Sequence, residues 1–420
     1  MTATWFDSSR LPTSWKTLPL RRVGRIVNGG TPTADPDNWD GQYPFVTPPD
    51  LNGADGAVIE STARTLSTAG TKAAGIVPAG SILVSTRAPI GHVGRVGTLS
   101  TFNQGCKAVT PNIGIDPGYI ATVLVAARAE LIARGQGATF FELSSAAFAA
   151  ITIPLPPFDE QRAIADYLDQ ETAQIDALVA KQQEFIGLLR ERRSAAIESA
   201  VAGVNLYGSR LKHLIRSLRQ GWSPQCYSWP TDGVECWAVL KTGAVNGGVF
   251  RAMENKELPS SETPRPEIVV RAGDLVVSRA NTRELVGSAA VVDRDYPKLM
   301  LSDKLYAYEL DRRKALPRYV ASVLGSRRWR GLIEIEATGA SSSMLNISQD
   351  DIINLPLGLP TVQEQQSLLD VLDEQTLRID ALIAKAEEHI ALAKERRSAL
   401  ITAAVTGQVD VRTAKKGARV

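Results

Sequence analysis

The feature that most constrains this chain of 420 residues is a long segment that it contains twice. The first copy reads DEQRAIADYLDQETAQIDALVAKQQEFIGLLRERRSAAIESAVAG and runs from Asp159 to Gly203. The second copy reads QEQQSLLDVLDEQTLRIDALIAKAEEHIALAKERRSALITAAVTG and runs from Gln363 to Gly407. The copies align without a gap at an offset of 204 residues. Such self-similarity indicates a repeated architecture.

Both copies predict a long helix, because they lack Pro and are rich in Ala, Leu, Glu, Gln, Lys and Arg. Thr361 and Glu364 form a capping-box pattern at the start of the second helix. A helix of about 42 residues is about 60 Å long, which exceeds the width of a small domain. Spacings near three and four predict a coiled-coil seam through Ile164, Leu168, Ile175, Leu178, Phe185 and Leu189, and through Leu368, Leu372, Ile379, Leu382, Ala386 and Ile390.

The simplest way to cover such an apolar stripe is to pack each helix along the other. Antiparallel pairing returns the second helix toward the first globule and relates the two halves by a pseudo-twofold axis. An alternative, in which each helix packs on a separate domain, stays open. The basic residues of the late turns favour the negative end of the helix dipole, and we interpret them as solvated helix ends: Arg192, Arg193, Arg396 and Arg397.

The segments between the helices repeat one another more faintly. PAGSILVSTRA at 78–88 resembles RAGDLVVSRA at 271–280, and one amphipathic helix is expected at 118–132 and again at 318–333. We therefore predict a mixed α/β fold with two similar globular domains, each of about 150 residues. The predicted boundaries are residues 1–153 for the first globule, 154–204 for the first long helix, 205–357 for the second globule, and 358–420 for the second long helix with a C-terminal tail.

Composition narrows the class of protein. No stretch approaches the roughly 18 apolar residues of a membrane helix, and MTATWFDSSRLPTSW lacks the regions of a signal peptide. Cys106, Cys226 and Cys236 show no paired spacing, so we expect a reducing cytoplasm and no zinc site or disulfide framework. The small positive excess lies in residues 1–150 and 205–357, which permits a polyanionic partner without requiring one.

Catalytic patterns are missing from the sequence. LPPF at 155–158 has Leu155 where an amino-methyltransferase motif needs a polar side chain, and it is better interpreted as a stiff lead into a helix. There is no phosphate-binding loop, no nucleophile elbow and no cluster of His or Cys with metal-ligand spacing. We therefore expect no catalytic residue, no metal site and no cofactor on this chain.

These residues resemble one family. The duplicated DEQRAIADYLDQETAQIDALVAK…ERRSA helix, the IPLPP lead, and the STRAPIGHVG and NQGCKA stretches are similar to the DNA-specificity subunit of type I restriction–modification enzymes. The resemblance covers nearly the whole chain. The second globule departs from the last two motifs, with SRANTRELVG at 278–287 and LSDKLYAYEL at 301–310.

The resemblance implies a non-catalytic, DNA-binding subunit. Two target-recognition domains would each read one half of an asymmetric bipartite sequence, and two helices in an antiparallel coiled coil would set the spacer. It implies double-stranded DNA, two modification subunits and restriction subunits as partners. S-adenosylmethionine, ATP and Mg²⁺ are then expected on those partner subunits. Two alternatives stay open: a coiled-coil scaffold that binds protein, and a self-contained DNA enzyme with an unrecognised site.

Base readout uses Arg, Lys, Asn and Gln, and phosphate contacts use hydroxyls and backbone amides. On this chemistry we predict DNA contacts at Thr31, Lys72, Arg87, Asn103, Gln104 and Lys107 in the first globule, and at Lys241, Asn246, Arg279, Asn281, Arg283 and Lys304 in the second. For partner docking near the helix starts we select Glu160, Gln161, Tyr167, Glu364 and Gln365. Simple capping and solubility is the alternative for these last five.

Overall fold

A computed structural model describes residues 5–136, 142–201, 203, 208–341 and 344–411. The chain forms two compact units, of which the first comprises Met1–Gln182 and Glu387–Val420 and the second comprises Gln183–Ala386. Each unit thus contains one globule, the first part of the long helix that follows it, and the last part of the other long helix. The end of the predicted C-terminal tail, from residue 412, lies outside the described residues.

Within its described residues, the first unit has sheets with the strand orders β1-β11, β2-β10-β7-β8-β4 and β5-β3-β9-β6. The pairs β4–β8 and β3–β9 are parallel, and the other neighbours are antiparallel. The strands are β1 (Lys16–Pro19), β2 (Gly24–Asn28), β3 (Trp39–Val46), β4 (Val58–Ile59), β5 (Thr65–Leu66), β6 (Gly75–Val77), β7 (Ile82–Ser85), β8 (Val93–Val96), β9 (Ser100–Phe102), β10 (Cys106–Pro111) and β11 (Thr152–Leu155). The helices are α1 (Leu20–Val23), α2 (Pro48–Leu51), α3 (Pro117–Ala126), α4 (Arg128–Ala133), α5 (Ser145–Ala149) and α6 (Phe158–Val201).

The second unit repeats this plan with the strand orders β12-β23, β13-β20-β16-β18, β15-β14-β19 and β17-β22-β21 among its described residues. Here β14–β19 is the parallel pair. The strands are β12 (Ser209–Arg210), β13 (Ile215–Gln220), β14 (Ala238–Leu240), β15 (Asn255–Glu257), β16 (Leu275–Ser278), β17 (Ala280–Asn281), β18 (Ala289–Val291), β19 (Leu299–Met300), β20 (Leu305–Leu310), β21 (Thr338–Ser341), β22 (Met344–Asn346) and β23 (Pro356–Leu357). The helices are α7 (Pro317–Gly325), α8 (Arg327–Glu336), α9 (Gln349–Asn354) and α10 (Val362–Val405).

The mixed α/β fold with two similar globules and two long helices is therefore confirmed. The main core of the first unit packs β7, β10 and α3 against both long helices, with Leu168 of α6 and Ile401 of α10 in one apolar cluster. The second unit does the same with Leu369 of α10 and Val201 of α6. Burying one such aliphatic side chain contributes about 1.5–3 kcal/mol, so both globules are fixed to helix surface.

The single amphipathic helix expected in each globule is wrong, because each globule has two consecutive helices there. Helix α3 ends before Ala127, and α4 starts after it. In the second globule α7 stops at Ser326, whose extended backbone breaks the helix and whose hydroxyl donates to the Val323 carbonyl at 2.8 Å. Backbone bonding of Ser competes with helix continuation, a local effect that apolar spacing does not reveal.

The two long helices each span 44 residues, as the duplication predicts. The capping box at the start of α10 is also confirmed. The backbone N–H and the hydroxyl of Thr361 both donate to the Glu364 carboxylate at 2.8 Å, and the Glu364 N–H donates back to the hydroxyl. These bonds to its charged form lower the pKa of Glu364.

The predicted seam is correct at Ile164, Leu168, Ile175 and Leu189 and at Leu372, Ile379, Ala386 and Ile390, but it is off by one residue at Leu178, Phe185 and Leu382. Leu178, Phe185 and Leu382 are 49%, 41% and 45% exposed. The less exposed stripe passes through Thr172, Ile175, Val179, Gln182, Ile186 and Leu189, and through Thr376, Ile379, Ile383, Ala386 and Ile390. These positions keep a strict alternation of three and four, in which a Thr fills the step that a search for large apolar residues skips.

Within each unit the two helix segments run antiparallel. In the first unit Leu168 shares a cluster with Ile401, whereas Asp176, further along α6, pairs with Arg397, which lies earlier in α10. In the second unit Leu369 shares a cluster with Val201, and Asp380 pairs with Arg193 in the same sense.

The interpretation of Arg193 and Arg397 as solvated helix ends is wrong. Their side chains are only 20% and 16% exposed, and their Nε atoms lie 2.9 and 3.0 Å from Asp380 and Asp176. Both arginines also contact their globule: Arg193 donates to the Gly247 carbonyl at 3.1 Å, and Arg397 lies 3.6 Å from the Asp55 carboxylate. Two ion pairs offset by 204 residues therefore perform the same task in the two units.

Candidate nucleic-acid interface

In the first unit, the predicted DNA contacts gather where β2 and β7 end and β10 begins. β10 pairs with both neighbours there, so that Lys107 lies opposite Asn28 and Cys106 lies opposite Ser85. The Thr86 N–H continues this ladder by donating to the Gly105 carbonyl at 2.8 Å. We call this end of the sheet, with its flanking loops, the first strand-end cluster. It comprises Asn28, Thr31, Lys72, Arg87, Asn103, Gln104, Lys107, Glu142 and Ser145.

Close backbone packing holds the loops of this cluster together. A Cβ at Gly29 would lie 1.8 Å from the Asn103 carbonyl oxygen, and one at Gly30 would lie 2.2 Å from the Ala73 carbonyl oxygen. Only glycine permits these approaches. The Thr31 hydroxyl donates to the Gln104 side-chain oxygen at 2.5 Å, and both side chains are exposed.

The remaining candidates of this cluster differ in accessibility. Asn103 uses its side-chain oxygen to accept from the Gly105 N–H at 3.0 Å. Lys72 is exposed on a 3-10 turn, Gly70–Ala73. Lys107 is only 5% exposed, and its ammonium lies 3.5 Å from the Glu142 carboxylate. Direct base contact by Lys107 therefore requires rearrangement.

Sequence reasoning missed Glu142, which joins two of the candidates. One carboxylate oxygen accepts from Arg87 Nε at 3.1 Å, and the other faces Lys107. Ser145 and Asn28 form a second polar link, with the Ser145 hydroxyl donating to the Asn28 side-chain oxygen at 2.6 Å. No motif spacing signals these contacts, since they join residues 35 to 117 positions apart.

In the second unit, the corresponding end of the sheet lies where β13 and β16 end and β20 begins. Tyr306 lies opposite both Gln220 and Val277, and the Arg279 N–H donates to the Lys304 carbonyl at 2.9 Å. The Ser223 hydroxyl donates to the Asp303 carboxylate, which repeats the Thr31–Gln104 contact with different side chains. We call this the second strand-end cluster. It comprises Gln220, Ser223, Asn246, Arg279, Asn281, Asp303, Lys304 and Tyr306.

The predicted residues of the second cluster are only partly brought together. The Asn281 amide donates to the Asn246 side-chain oxygen at 3.3 Å, and Arg279 lies with its guanidinium carbon 5.9 Å from the Tyr306 ring centroid. Lys304 is exposed beside them. Two candidates lie further out: Lys241 is 3.8 Å from Glu254 before a 3-10 segment, and exposed Arg283 accepts at its carbonyl from Arg330.

The sequence similarity of 78–88 to 271–280 aligns Arg87 with Arg279, but backbone hydrogen bonds show that these two arginines are not structurally equivalent. Thr86 donates to Gly105 and accepts from the Leu143 N–H, while Arg279 donates to Lys304 and accepts from the Ile347 N–H. Arg279 therefore occupies the position of Thr86, and Arg87 is one residue further along. The sequence echo hides this shift because the first globule has one additional residue after the strand.

Of the residues selected for partner docking, Gln161 and Gln365 have structural roles. They are 2% and 0% exposed. Gln161 accepts from the Asp116 N–H and donates to the Pro156 carbonyl, both at 2.9 Å. Gln365 accepts from the Leu316 N–H and donates to the carbonyls of Lys314 and Pro360. Neither side chain can reach a partner from there, because each is buried between its helix start and its own globule.

The other three docking candidates keep accessible surface. Glu160 and Tyr167 are half-buried on α6, and Glu364 is exposed in its capping box. Burial raises the pKa of the Tyr167 hydroxyl, a shift that Glu171 adds to and Arg396 opposes.

The clusters show no arrangement for covalent or metal chemistry. Burial raises the pKa of the Cys106 thiol to about 12, so that this residue beside Lys107 stays protonated. Among the described residues, no group of His, Cys, Asp and Glu could hold a metal ion. Nor does the described part of the chain contain a helix of sufficient length and apolarity to cross a membrane. What the clusters present is hydrogen-bonding groups on two sheet ends.

Comparison with known proteins shows what this chain is similar to. Residues 12–186 match the family model described as "Type I restriction modification DNA specificity domain". The resemblance found in the sequence is thereby confirmed.

Individual relatives extend the match. The EcoEI type I restriction enzyme specificity subunit of Escherichia coli is 33% identical over 165 residues, covering 39% of this chain but 28% of that protein. The EcoKI specificity subunit of Escherichia coli strain K12 is 24% identical over 326 residues, covering 74% of this chain and 69% of that protein. A solved chain from work on complex assembly of the type I R-M system has a TM-score of 0.60 at 17% identity, covering 95% of this chain and 99% of that one. This last likeness establishes a shared fold.

Proposed function

We propose that this chain is the DNA-reading subunit of a type I restriction–modification complex. Each globule, residues 1–153 and 205–357, reads one half of an asymmetric bipartite target. The helical segments 154–204 and 358–420 form an antiparallel coiled coil that sets the spacer and docks two modification subunits. Restriction subunits join the same complex in the cytoplasm. Catalysis, with S-adenosylmethionine, ATP and Mg²⁺, belongs to the partner subunits.

The observation that carries this proposal is the contrast between the two strand-end clusters. They stand on equivalent sheet ends, yet one holds the Arg87–Glu142–Lys107 ion pairs and the other holds Arg279 against Tyr306. Equivalent positions with different polar side chains are what two readers of different base sequences need. A homodimeric reader would instead recognise a palindrome.

The helices support the partner proposal by repetition. Exposed side chains are identical in the two copies at Leu178 and Leu382, and at Leu188 and Leu392. Since the same surface residues occur twice at an offset of 204, two copies of one partner fit better than two different partners.

The direct experiment maps methylated bases across the genome of cells that contain this gene and its modification subunit. We expect an asymmetric, bipartite motif that disappears when the gene is deleted. If methylation is unchanged while the modification subunit is present, the proposed function is wrong. An Arg87→Ala variant is expected to relax or abolish only one half of the motif, whereas uniform weakening at every sequence would indicate a phosphate contact.

Salt dependence separates this proposal from a protein-binding scaffold. Phosphate contacts release counterions, so the affinity of the complex for a target duplex should fall steeply between about 50 and 200 mM salt. A scaffold without a role in DNA binding would show no such dependence. DNA cleavage or methylation by the purified chain alone would favour the third reading, a self-contained enzyme.

A further inference from the structure

The strongest unassigned feature is Glu142, which is fixed on both its backbone and its side chain. Its N–H and carbonyl exchange hydrogen bonds with Gln136 at 2.9 and 3.0 Å, and its backbone bridges to Arg87. The Leu143 N–H next to it donates to the Thr86 carbonyl at 2.8 Å. The main chain of Glu142 is therefore held beside the end of β7, and the contacts with Arg87 and Lys107 orient its carboxylate.

The atom through which Arg87 bonds to this carboxylate determines what the guanidinium can do. Glu142 accepts from Arg87 Nε at 3.1 Å. Among the described residues, neither Nη atom of Arg87 makes a hydrogen bond or ion pair, and the side chain is 47% exposed. Readout of guanine by Arg uses two parallel N–H groups directed at O6 and N7. A hydrogen bond from Nε to a carboxylate fixes the plane of the guanidinium group and leaves its two Nη groups available for this contact.

Lys107 makes such a carboxylate tolerable at a DNA-binding surface. An exposed carboxylate repels phosphates, but the second oxygen of Glu142 lies 3.5 Å from the buried Lys107 ammonium. The three side chains together carry a net charge of +1. The negative charge of Glu142 thus orients Arg87, while the three side chains together remain positive and attract DNA.

The second strand-end cluster lacks this arrangement. Tyr306 stands where the first cluster has Lys107, and Asn346 stands 204 residues after Glu142. Arg279 lies 5.9 Å from the Tyr306 ring, and within the described residues its guanidinium has no carboxylate partner. None of the residues described in the second unit therefore fixes an arginine fork through Nε at this position.

We propose that Arg87, oriented by Glu142, reads a guanine in the half-site of the first globule, and that Glu142 is the positioning residue that makes this readout strict. The inference rests on the proposed function, because it names one base of the target. It assigns to Glu142 a role in base discrimination that is separable from overall affinity.

The test is the methylated motif of cells that carry Glu142→Gln, Arg87→Lys or Glu60→Gln. Glutamine has the size of glutamate without its charge, and lysine keeps the charge of arginine without its fork. Both changes should make one guanine position in one half-site degenerate, with about a 10- to 100-fold loss of discrimination there. The other half-site should be unchanged. Glu60 is an exposed carboxylate of the same globule, and its variant should leave the motif as in the wild type.

Each outcome decides the inference. A wild-type motif without guanine in either half overturns it, as does an unchanged motif in Glu142→Gln. Equal loss of methylation at every sequence, in a variant whose thermal melting matches the wild type, would make Glu142 structural and Arg87 a phosphate contact. If Glu142→Gln fails to fold, Arg87→Lys alone decides by the same criteria. Absence of any gene-dependent methylation in the wild type is a different result, because it removes the proposed function itself.

Discussion

The two units keep the same contacts where a long helix meets its globule and change them at the strand-end clusters. Gln161 and Gln365 make the same kind of buried bonds, and Asp169 and Asp373 each bind an arginine of their own globule. Those arginines, Arg95 and Arg318, come from a strand in one unit and a helix in the other. The helix side of each contact is thus repeated, whereas the globule side is free to vary.

This difference teaches which constraints act on each region. A helix surface that must hold two different globules can tolerate little change, since a buried polar group without its partner costs about 1–3 kcal/mol. A sheet end that faces solvent carries no such cost and can adopt another set of polar side chains. Repeated anchoring with divergent surface chemistry is what the proposed function leads us to expect of a duplicated reader whose halves recognise different sequences.

The largest expected effect concerns the buried glutamines. Gln365→Ala removes three hydrogen bonds and leaves the Leu316 N–H and two carbonyls without partners. We expect a loss of about 3–4 kcal/mol in the free energy of unfolding of the second unit. Gln161→Ala removes two bonds in the first unit, so about 2–3 kcal/mol is expected there.

Urea unfolding, followed separately in each unit by hydrogen exchange, measures both losses. Gln366→Ala is the matched control, because Gln366 is exposed and donates to Asp370 one turn away, a contact that contributes less than about 0.5 kcal/mol. If Gln161→Ala and Gln365→Ala lowered the free energy of unfolding no more than this control does, the buried glutamine contacts would not be what stabilises the packing of each globule on its long helix.

A smaller and more symmetric effect is expected at the interhelical arginines. Arg397→Ala and Arg193→Ala should each cost about 1–2 kcal/mol, since each removes a partly buried, charge-assisted contact between the two helices. Because the Arg397–Asp176 and Arg193–Asp380 pairs are related by the repeat, we predict that the two losses in the free energy of unfolding are equal. Arg396→Ala, an exposed neighbour in the same turn, should have almost no effect.

Double-mutant cycles of Arg397 with Asp176, and of Arg193 with Asp380, measure this directly. We expect coupling energies of about 0.5–1 kcal/mol in both cycles, because both aspartates remain about half exposed. A measurable coupling energy in one unit but not in the other would show that the two ion pairs are alike in sequence but differ in their contribution to stability.

Sequence reasoning predicted the architecture well because the relevant signals are local and periodic. The duplication gave the helix lengths, and Thr361 with Glu364 gave the capping box. The seam prediction was off by one residue at Leu178, Phe185 and Leu382, since Thr172 and Gln182 occupy core-facing positions that large apolar residues do not mark. Periodicity resolves a face of a helix to about one residue, and here one residue separates buried Ile186 from exposed Phe185.

The candidate site was less predictable because its contacts are nonlocal. The sequence indicates Arg87 as a polar residue after a strand, but its partner Glu142 lies 55 residues away and has no motif of its own. Lys107 looks like a surface charge in NQGCKA and is buried. Gln161 looks like a capping residue, whereas its depth between helix and globule depends on the fold of residues far along the chain.

The smallest expected effect is a difference in acid sensitivity between the units. Burial lowers the pKa of His92 in the first unit, and Arg128 lowers it further, while Asp55 opposes the shift. Above pH 6.5 this histidine is neutral in both the folded and the unfolded chain, and it contributes no pH dependence. As the pH falls below 6.5 the unfolded chain binds the proton first, so the first unit loses stability until the lower, folded-state pKa is passed.

The second unit has a strongly shifted group of its own, Asp311, but this group should not change the stability of the unit between pH 7 and pH 5. Hydrogen bonds and charge from Arg313, with Arg216, lower the pKa of Asp311 to about 2. The stabilisation from this carboxylate is complete above its ordinary pKa of 3.8 and is lost only as the pH falls toward 2. Hydrogen exchange corrected for intrinsic rates, measured at pH 7 and pH 5, should therefore show weakening in the first unit. His92→Gln should remove that change. An unaltered response in this variant would assign the acid sensitivity of the first unit to groups other than His92, and the predicted cause of the difference between the two units would be wrong.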